Sequence, residues 1–337
     1  MNKAEAYNVA VVGATGAVGE ALVEILESRN FPVKQLFLLA SERSAGKRVQ
    51  FKGKSIMVTR LDEFDFSQAD IGLFSAGGDL SAVYAPKAAA AGCVVIDNTS
   101  QFRYDADVPL IVPEVNAHRL ADHKARNIIA NPNCSTIQMV VALKPIHDAV
   151  GIARINVSTY QAVSGAGAGG VRELAGQTAN LLNGKEIETK VMPVQIAFNA
   201  IPQIDKFQDN GYTKEEMKMV WETQKILEDD SIMVNPTCVR IPVFYGHSEA
   251  VHIETRAEIS PAQAAELLRV APKIRVFDDQ SYPTAVEHGA GKDDVLVGRI
   301  RKDISHPMGL NLWVVADNVR KGAALNSVQI AELLIQD

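Results

Sequence analysis

A glycine-rich turn joins an apolar run to an amphipathic segment near the start of this 337-residue chain. Residues 7–12 read Tyr-Asn-Val-Ala-Val-Val, and residues 13–19 follow as Gly-Ala-Thr-Gly-Ala-Val-Gly. Gly13 permits a tight turn, Gly16 lets backbone approach a phosphate, and Gly19 allows a helix to pack closely on the strand. The helix N-terminus then offers free N–H groups to an anion. Between a strand and a helix, this pattern predicts a dinucleotide-binding fold; three glycines alone would indicate only a turn.

The first part of the chain alternates short apolar runs with amphipathic stretches. The predicted strands are residues 7–12, 36–40, 69–75, 93–98 and 127–130. The predicted helices are residues 19–28 and 81–91. Apolar strands that alternate with helices indicate a parallel sheet covered on both faces. We therefore expect a first domain over residues 1–132.

The pattern changes after about residue 133. Residues 154–163 and 238–245 alternate in period two, and residues 248–259 resemble a neighbouring strand. This alternation favours a mostly antiparallel sheet with two different faces. Helices are predicted at residues 171–182, at 214–227 and after Ser260, and a last strand and helix at 311–315 and 322–335. We expect a second domain over residues 133–315, with residues 316–337 returning to the first.

Composition excludes several classes of protein. The chain has 34 Lys and Arg residues and 40 Asp and Glu residues, which gives a formal net charge of −6. This charge does not favour binding to nucleic acid or to anionic lipid. Three cysteines cannot build a disulfide framework at this length, which favours a reducing compartment. The N-terminal residues lack the pattern of a signal peptide, and no apolar run is long enough to span a membrane. We expect a two-domain cytoplasmic enzyme.

The end of the second predicted strand favours NADP over NAD. Residues 36–40 run into Ser-Glu-Arg-Ser, where Arg43 can fork onto a 2′-phosphate and two serines can donate hydrogen bonds. Glu42 is the one acid there, and an exposed polar turn is the alternative interpretation. The residues expected to hold the cofactor in this domain are Gly13, Thr15, Gly16, Ala17, Val18, Ser41, Arg43 and Ser44.

Cys134 is the candidate nucleophile. It follows Pro-Asn and precedes the apolar helical run 137–143, so it lies at a predicted helix N-terminus, where the dipole favours thiolate. A thiolate can attack an aldehyde or an acyl phosphate. Cys93 and Cys238 lie in apolar or strand segments and suit small buried side chains. His247 follows a glycine turn, but the residues alone do not choose the base among seven histidines. No histidine or cysteine cluster has metal-ligand spacing, so we expect no metal site.

Several short motifs occur in order along the chain. They are Val-Val-Gly-Ala-Thr-Gly-Ala-Val-Gly at 11–19, Pro-Asn-Cys-Ser-Thr at 132–136, Ser-Thr-Tyr-Gln-Ala-Val-Ser-Gly at 158–165, Glu-Glu-Met-Lys at 215–218, Arg-Ile-Pro-Val at 240–243 with His247, and Asp-Asn at 317–318. Together they resemble the aspartate-β-semialdehyde dehydrogenase family over essentially the whole chain. The resemblance implies an α/β fold: an N-terminal Rossmann-type domain and an α+β catalytic and dimerisation domain similar to the C-terminal domain of glyceraldehyde-phosphate dehydrogenase.

The resemblance also implies a reaction. The family reduces 4-phospho-L-aspartate with NADPH to L-aspartate 4-semialdehyde and inorganic phosphate, reversibly and through a cysteine thioester. The product feeds lysine, diaminopimelate, threonine and methionine biosynthesis. The expected assembly is a homodimer formed by the second domain.

The family's functional residues transfer to matching positions. Cys134 is the nucleophile, His247 the acid/base with a pKa near the operating pH, and Gln161 orients the substrate. Arg240 is expected to hold the substrate α-carboxylate and Glu215 its amine. The phosphate-binding residues implied are Arg103 and Lys218, with Asn133 beside them. The residues of the second domain expected to bind the cofactor are Ser164 and Gly165, in a loop that approaches the nicotinamide, and Asn318.

Simpler interpretations stand beside these roles. Arg240 could form a structural salt bridge, and Glu215 with Lys218 could be a surface ion pair three residues apart on a helix. Thr213 and Glu216 form a capping-box pattern, so we exclude Glu216 from the site. The alternatives for the whole chain are an enzyme like N-acetyl-glutamyl-phosphate reductase and a catalytically silent NADP-binding sensor. The free amine implied by Glu215 argues against the first.

Overall fold

The computed structural model describes residues 5–278 and 280–336. The chain forms two compact units, Met1–Asn133 with Ala323–Asp337, and Cys134–Gly322. The return to the first unit thus begins at residue 323, not at the expected 316. Residues 317–322 are joined to the rest of the second unit by the backbone N–H of Gly291, which donates to the side chain of Asp317 at 2.6 Å. The outer limits of the expected domains, residues 1 and 337, lie outside the described residues.

Strands alternate with helices through most of the first unit, as predicted, but residues 48–60 add two strands with no α-helix between them. The strands are β1 (Tyr7–Val12), β2 (Val33–Ala40), β3 (Arg48–Phe51), β4 (Lys54–Arg60), β5 (Ile71–Phe74), β6 (Val94–Asp97), β7 (Ile128–Ala130), β8 (Ile152–Gln161), β9 (Met233–Arg240), β10 (His247–Thr255), β11 (Ile274–Val276), β12 (Val295–Lys302) and β13 (Gly309–Ala316). The helices are α1 (Ala17–Ser28), α2 (Gly78–Ala90), α3 (Pro113–Asn116), α4 (Cys134–Val150), α5 (Gly167–Leu182), α6 (Lys214–Leu227), α7 (Pro261–Val270) and α8 (Leu325–Gln336).

The first unit is built on a seven-stranded sheet with the order β3-β4-β2-β1-β5-β6-β7. Every pairing is parallel except that of β3 with β4, which form a hairpin that the sequence did not predict. The central strands β5 and β6 are buried along their whole length. Such continuous burial is what their unbroken apolar sequences predicted, and the parallel sheet is confirmed.

Helix α8 belongs to the first unit and is tied to it by side-chain contacts. Arg29 at the end of α1 makes two hydrogen bonds of 2.7 Å to the carboxylate of Glu332. The buried Asn326 side chain donates to the carbonyl of Ile111 at 3.0 Å and to Oδ1 of Asn131 at 2.7 Å. These hydrogen bonds are directional, so they fix the position of α8, whereas burial of its apolar side chains alone would not.

The second unit contains a six-stranded sheet with the order β11-β12-β13-β10-β8-β9. It is mixed: β8 pairs with β9 and β11 with β12 in parallel, and the other pairs are antiparallel. The predicted strand 238–245 is wrong after Arg240, where β9 ends. The backbone N–H of Ile241 donates to the carbonyl of Gln161 at the end of β8, and the carbonyl of Val243 accepts from the backbone N–H of Val163 in the loop that follows.

Strand direction brings three strand ends together. β8 and β9 are parallel and end in register at Gln161 and Arg240, while β10 is antiparallel to β8 and begins at His247. Helix α4 begins at Cys134 and contacts β8, β10 and β13. One edge of the sheet therefore collects side chains that are far apart in sequence. Within the described residues, no helix is long and apolar enough to cross a membrane.

Candidate active site

The glycine turn of the first unit is packed too closely against other backbone to admit side chains at Gly13 and Gly19. Gly13 has a φ of +88°, and a Cβ there would lie 2.9 Å from the backbone carbonyl carbon of Ser75. A Cβ on Gly19 would overlap the carbonyl oxygen of Gly13. Helix α1 starts after Gly16 without a side-chain cap, so its first N–H groups face outward from the turn. This cradle fits the pyrophosphate of a dinucleotide.

The end of β2 offers a cation and hydroxyls. Arg43 is exposed, and no ion-pair or hydrogen-bond partner contacts its side chain among the described residues. The carboxylate of Glu42 lies 3.6 Å from the guanidinium of Arg60. The hydroxyl of Thr15 donates to that of Ser44 at 3.2 Å and links the glycine turn to this segment. A free guanidinium beside hydroxyls fits a 2′-phosphate better than a diol.

Arg103 and Asn133 are buried in the first unit. Nη2 of Arg103 donates to the backbone carbonyl of Asn98 at 2.8 Å, which fixes one side of the guanidinium. Lys218 lies in the second unit. The pairing of these residues around a phosphate therefore stays a prediction.

Cys134 is the first residue of α4, as the sequence predicted. It is partly exposed, whereas Cys93 and Cys238 are buried. Burial raises the pKa of the Cys93 thiol to about 12 and that of Cys238 well above its usual value. A Cβ on Gly322 would lie 2.8 Å from Cβ of Cys134, so Gly322 leaves the room that this cysteine needs. Gly322 gave no signal in the sequence.

The edge of the second sheet places Gln161, Arg240 and His247 on one face, since the residues that pair across the strands share a face. The loop after β8 closes over them. A Cβ on Gly165 would lie 2.8 Å from Nη1 of Arg240 and 3.6 Å from Nε2 of His247. Bare backbone at Gly165 therefore lies against both side chains.

Arg240 is a buried cation without a close counter-charge. Its side chain makes a hydrogen bond of 2.7 Å from Nη1 to the carbonyl of Ala162. No carboxylate of the described residues lies within ion-pair distance of it. Burial lowers the pKa of Arg240, while the more distant Glu215 and Cys134 oppose this shift. The structural salt bridge considered from the sequence is absent from the described residues, and an anionic ligand would satisfy the guanidinium.

His247 is fully buried at the start of β10. Its Nδ1 accepts a hydrogen bond of 3.0 Å from the backbone N–H of Ala162, so the neutral ring carries its proton on Nε2. Burial, followed by the charge of Arg240, lowers the pKa of His247 to about 3. The expectation of a pKa near the operating pH is not met, because the ring has lost its solvation and faces a cation.

A buried network holds the Gln161 amide. The hydroxyl of Thr159 donates to Oε1 of Gln161 at 2.9 Å, and Nε2 of Gln161 donates to Oε1 of Glu215 at 3.1 Å. Because both ends of the amide are bonded, its orientation is fixed. Thr159 was not singled out from the sequence, although it lies two residues before Gln161 on the same strand face.

Lys218 extends this network. Its ammonium group lies 3.0 Å from Glu215 and 3.0 Å from Asp205, and its side chain is only 12% exposed. Burial acts to lower the pKa of Lys218, but the two carboxylates outweigh it and the pKa is raised. The pair is thus not the surface contact considered as an alternative. Asp205 lies in a loop, and no sequence pattern connected it to α6.

Glu216 has a structural role. It forms the predicted capping box with Thr213, and its other oxygen accepts a hydrogen bond from the backbone N–H of Cys238 at 3.0 Å. The predicted capping box is confirmed, and the exclusion of Glu216 from the site stays a prediction.

Ser164 and Asn318 contact each other. Nδ2 of Asn318 donates to the hydroxyl of Ser164 at 3.0 Å, and its Oδ1 accepts from the backbone N–H of Gly246 at 2.9 Å. Asn318 thereby joins the loop after β8 to the turn that leads into His247. Their role in binding the cofactor stays a prediction. In the part of the chain that the structure describes, no three His, Cys, Asp or Glu side chains are grouped so that they could hold a metal ion.

Comparison with known proteins identifies the family. Residues 8–123 match the family described as semialdehyde dehydrogenase, NAD binding domain, and residues 143–321 match semialdehyde dehydrogenase, dimerisation domain. The chain is 67% identical to aspartate-semialdehyde dehydrogenase 2 of Vibrio cholerae over 331 residues, 98% of each protein. It is similar to the crystal structure of aspartate semialdehyde dehydrogenase II from that species complexed with ASA, at 66% identity and a TM-score of 0.99 over 99% of both chains. It also resembles the Candida albicans enzyme with NADP, at 26% identity and a TM-score of 0.76 over 98% of both chains. These matches confirm the resemblance found in the motifs and the two-part α/β fold, and the chain belongs to the aspartate-semialdehyde dehydrogenase family.

Proposed function

We propose that the protein interconverts 4-phospho-L-aspartate and L-aspartate 4-semialdehyde through a thioester on Cys134, with NADP as cofactor and inorganic phosphate as the released or consumed group. The product would supply lysine, diaminopimelate, threonine and methionine biosynthesis. Membership of the family supports the reaction, and the side chains at the edge of the second sheet support the assignment of roles.

Arg240 is the single observation that carries the substrate assignment. A buried guanidinium costs several kcal/mol of solvation unless an anion or several acceptors replace the water. Arg240 has a carbonyl acceptor at 2.7 Å and no close carboxylate among the described residues. A substrate α-carboxylate supplies the missing partner and can bind the fork with two hydrogen bonds.

Glu215 complements Arg240. Its carboxylate accepts from Gln161 and from Lys218, and its charge acts on Arg240 and His247. A carboxylate in this position favours a free α-amine, which is positively charged at neutral pH. An N-acetylated substrate has no such charge and would leave Glu215 poorly matched.

Cys134 carries the covalent step. In the reductive direction its thiolate attacks the acyl carbonyl, the C–O bond to phosphate breaks, and phosphate leaves with the electron pair. When bound, NADPH supplies the hydride that reduces the thioester. Collapse of the resulting thiohemiacetal breaks the C–S bond, releases the aldehyde and returns the thiolate. The N-terminus of α4 stabilises that thiolate throughout.

His247 serves as a hydrogen-bond donor to the substrate. Because Nδ1 accepts from Ala162, its Nε2–H is available to stabilise the oxygen of the substrate carbonyl as it gains negative charge. A neutral ring can do this without taking up a proton. Gln161, held at both ends of its amide, orients the substrate beside it.

Arg103, Lys218 and Asn133 are proposed to bind the transferable phosphate. All three are buried or nearly buried polar side chains, where charge-assisted hydrogen bonds are strong. Lys218 already contacts two carboxylates, so phosphate would have to draw it from one of them.

The test is a phosphate-dependent reduction of NADP by the purified protein with L-aspartate 4-semialdehyde. We expect turnover that requires both phosphate and the free α-amine. N-acetyl-L-glutamate 5-semialdehyde should be a poor substrate. Faster turnover of the acetylated aldehyde would favour the alternative reductase, and no turnover with either would favour a silent NADP-binding protein.

We also propose a homodimer, in keeping with the dimerisation-domain family of the second unit. The sheet face that carries Tyr160 and Trp313, whose rings lie 5.6 Å apart, is partly exposed in the single chain. Sedimentation equilibrium should give twice the chain mass, and a monomer would contradict the proposal. The three free cysteines support a cytoplasmic location.

A further inference from the structure

A long irregular connection returns to the sheet beside Arg240. Residues 183–213, which the structure describes throughout, join α5 to α6 without a helix or strand, and a connection of this length is uncommon in a compact unit. The backbone N–H of Ile201 donates to the carbonyl of Arg240 at 2.9 Å, and the N–H of Arg240 donates to the carbonyl of Ile201 at 2.8 Å. Since β9 is the last strand of the sheet, Ile201 lies where a further strand would pair with Arg240.

A carboxylate on α5 holds the first part of this connection. Glu173 accepts hydrogen bonds from three successive backbone N–H groups, at 3.0 Å from Lys190, 2.6 Å from Val191 and 3.1 Å from Met192. Hydrogen bonds to an ionised acceptor are stronger than those between neutral groups. Three of them on one carboxylate therefore fix residues 190–192 against α5.

Gln177 lies one turn further along α5 and holds the next part of the connection. Its Oε1 accepts from the backbone N–H groups of Ile196 at 2.9 Å and Ala197 at 3.1 Å, and its Nε2 donates to the carbonyl of Glu188 at 2.9 Å. Gln177 is buried, and Ile196 and Ala197 are 0% exposed. Without the amide, the two N–H groups would lose their acceptor inside the protein, which is costly.

The segment held in this way, residues 188–201, also packs against the loop after β8. One buried apolar cluster contains side chains of the segment, of α5 and of that loop, namely Val163, Leu174, Met192, Ile196, Ala197 and Ile201. Val163 directly follows Ala162, whose carbonyl accepts the hydrogen bond from Nη1 of Arg240. The segment therefore supports Arg240 in two ways, at its own backbone and behind the peptide that holds its guanidinium.

We propose that Glu173 and Gln177 are positioning residues, which hold residues 188–201 against the outer edge of β9 and thereby set the guanidinium of Arg240 for the α-carboxylate of the substrate. This inference rests on the proposed function of Arg240. The end of an edge strand frays readily unless other backbone pairs with it. A displacement of about 1 Å in a site can cost a hundredfold in rate, so a loosened strand end would be visible in the kinetics.

The proposed role of Arg240 separates positioning from stability. The aldehyde 3-aminopropanal keeps the amine and the reacting group of L-aspartate 4-semialdehyde but lacks the α-carboxylate, so we expect it to be a slow substrate. It gains nothing from a well-placed guanidinium. Loss of the position of Arg240 should therefore lower kcat/KM for L-aspartate 4-semialdehyde selectively, whereas loss of folded enzyme would lower both values alike.

The experiment compares wild type with Gln177→Leu, Glu173→Ala and the milder Glu173→Gln, which keeps one acceptor oxygen. Asp303→Ala is the matched control. Asp303 also accepts a hydrogen bond from a loop backbone N–H, that of Ser305 at 2.7 Å, but it lies at the opposite end of the sheet from His247. The readouts are kcat/KM for both aldehydes, KM for NADP, and hydrogen–deuterium exchange of the backbone, which needs neither substrate nor turnover.

We expect Gln177→Leu and Glu173→Ala to lower kcat/KM for L-aspartate 4-semialdehyde roughly tenfold to a hundredfold, with kcat/KM for 3-aminopropanal and KM for NADP within about twofold of wild type. Exchange of the backbone N–H groups of Ile201 and Arg240 should become faster, because their pairing is loosened. Glu173→Gln should change the same quantities in the same direction by less. Asp303→Ala should change neither the ratio of the two aldehydes nor this exchange.

An equal fall in kcat/KM for both aldehydes would overturn the proposal, and so would wild-type kinetics in the folded variants. If Gln177→Leu and Glu173→Ala do not fold, the ratio of the two aldehydes in Glu173→Gln decides. If wild type itself shows no phosphate-dependent NADP reduction, the proposed function fails. The exchange at Ile201 and Arg240 then decides alone, and unchanged exchange in the variants would show that α5 does not hold the end of β9.

Discussion

The backbone N–H of Ala162 donates to Nδ1 of His247 at 3.0 Å and so determines which ring nitrogen faces the reaction. The carbonyl of the same residue accepts from Arg240. One peptide segment therefore orients both the proposed donor to the substrate oxygen and the proposed carboxylate-binding cation. A general acid with a pKa near neutrality is unnecessary for this role, since a neutral imidazole can stabilise an oxyanion through its N–H group.

The low pKa of His247 predicts a pH-dependent stability. The unfolded chain takes up a proton on this ring as the pH falls through 6.5, whereas the folded ring stays neutral down to about pH 3. The free energy of unfolding should therefore fall with pH in this window, by at most about 1.4 kcal/mol per pH unit for this group. Urea unfolding at several pH values measures this slope.

His247→Gln should flatten that slope, because the replaced side chain does not titrate. His118→Gln, which changes an exposed histidine, is the control and should leave the slope unchanged. Equal slopes for wild type and His247→Gln would mean that the folded ring titrates normally.

Arg43→Ala should raise KM for NADP far more than KM for NAD. The guanidinium is exposed and free of protein partners among the described residues, so its loss removes a bond to phosphate and little else. A charge-assisted hydrogen bond contributes roughly 1.5–3 kcal/mol, which corresponds to a tenfold or larger change. Steady-state kinetics with both cofactors measure the ratio, and equal changes would make Arg43 a turn residue only.

Lys218→Ala tests whether Lys218 binds phosphate, although its ammonium group already contacts two carboxylates. Removal of the ammonium group takes away the cation that Glu215 and Asp205 share, so stability should fall by about 3–5 kcal/mol, well above the effect of a surface pair. If Lys218 also binds phosphate, KM for phosphate should rise more than KM for the aldehyde. Phosphate titrations at saturating aldehyde and NADP distinguish the two roles.

The double variant Lys218→Ala with Asp205→Asn is the matched control, because it removes one of the stranded charges. It should recover part of the stability without recovering phosphate affinity. Superimposable phosphate curves for wild type and Lys218→Ala would leave Arg103 as the only proposed phosphate cation.

Cys134→Ser should bind NADP but lose essentially all turnover, because a serine hydroxyl at neutral pH is a far weaker nucleophile than a thiolate. Cys93→Ser and Cys238→Ser should keep the rate of the chemical step and lose only stability, since both thiols are buried in the core. NADP binding by fluorescence, with turnover measured separately, distinguishes the effects. Substantial turnover by Cys134→Ser would contradict a covalent mechanism.

Local sequence patterns predicted what depends on neighbours along the chain. The glycine turn at Gly13, the helix start at Cys134 and the capping box of Glu216 each follow from a few adjacent residues, and each was found in place. The end of β9 was missed, because the backbone of Val243 bonds to Val163 in the loop after β8 and the strand does not continue beyond Arg240.

Contacts between distant segments could not be predicted from these patterns. Asp205 lies in a loop and accepts a hydrogen bond from Lys218 on α6. Gly322 and Cys134 lie side by side although almost the whole sequence of the second unit separates them. The buried position of His247 depends on strand register, which a period-two pattern does not specify between two particular strands. The resemblance to a family supplied the roles of Gln161 and Arg240, which residue chemistry alone would have left open.

The central claim, a thioester on Cys134, is tested most directly by the mass of the protein during the reaction. The enzyme is mixed with L-aspartate 4-semialdehyde and NADP in the absence of phosphate, acid-quenched and examined by mass spectrometry of the intact chain and its peptides. We predict one aspartyl group on the peptide that contains Cys134, its removal when phosphate is added before the quench, and no added mass in Cys134→Ser. Reduction of NADP without any modification of that peptide, or modification of another cysteine, would contradict the mechanism.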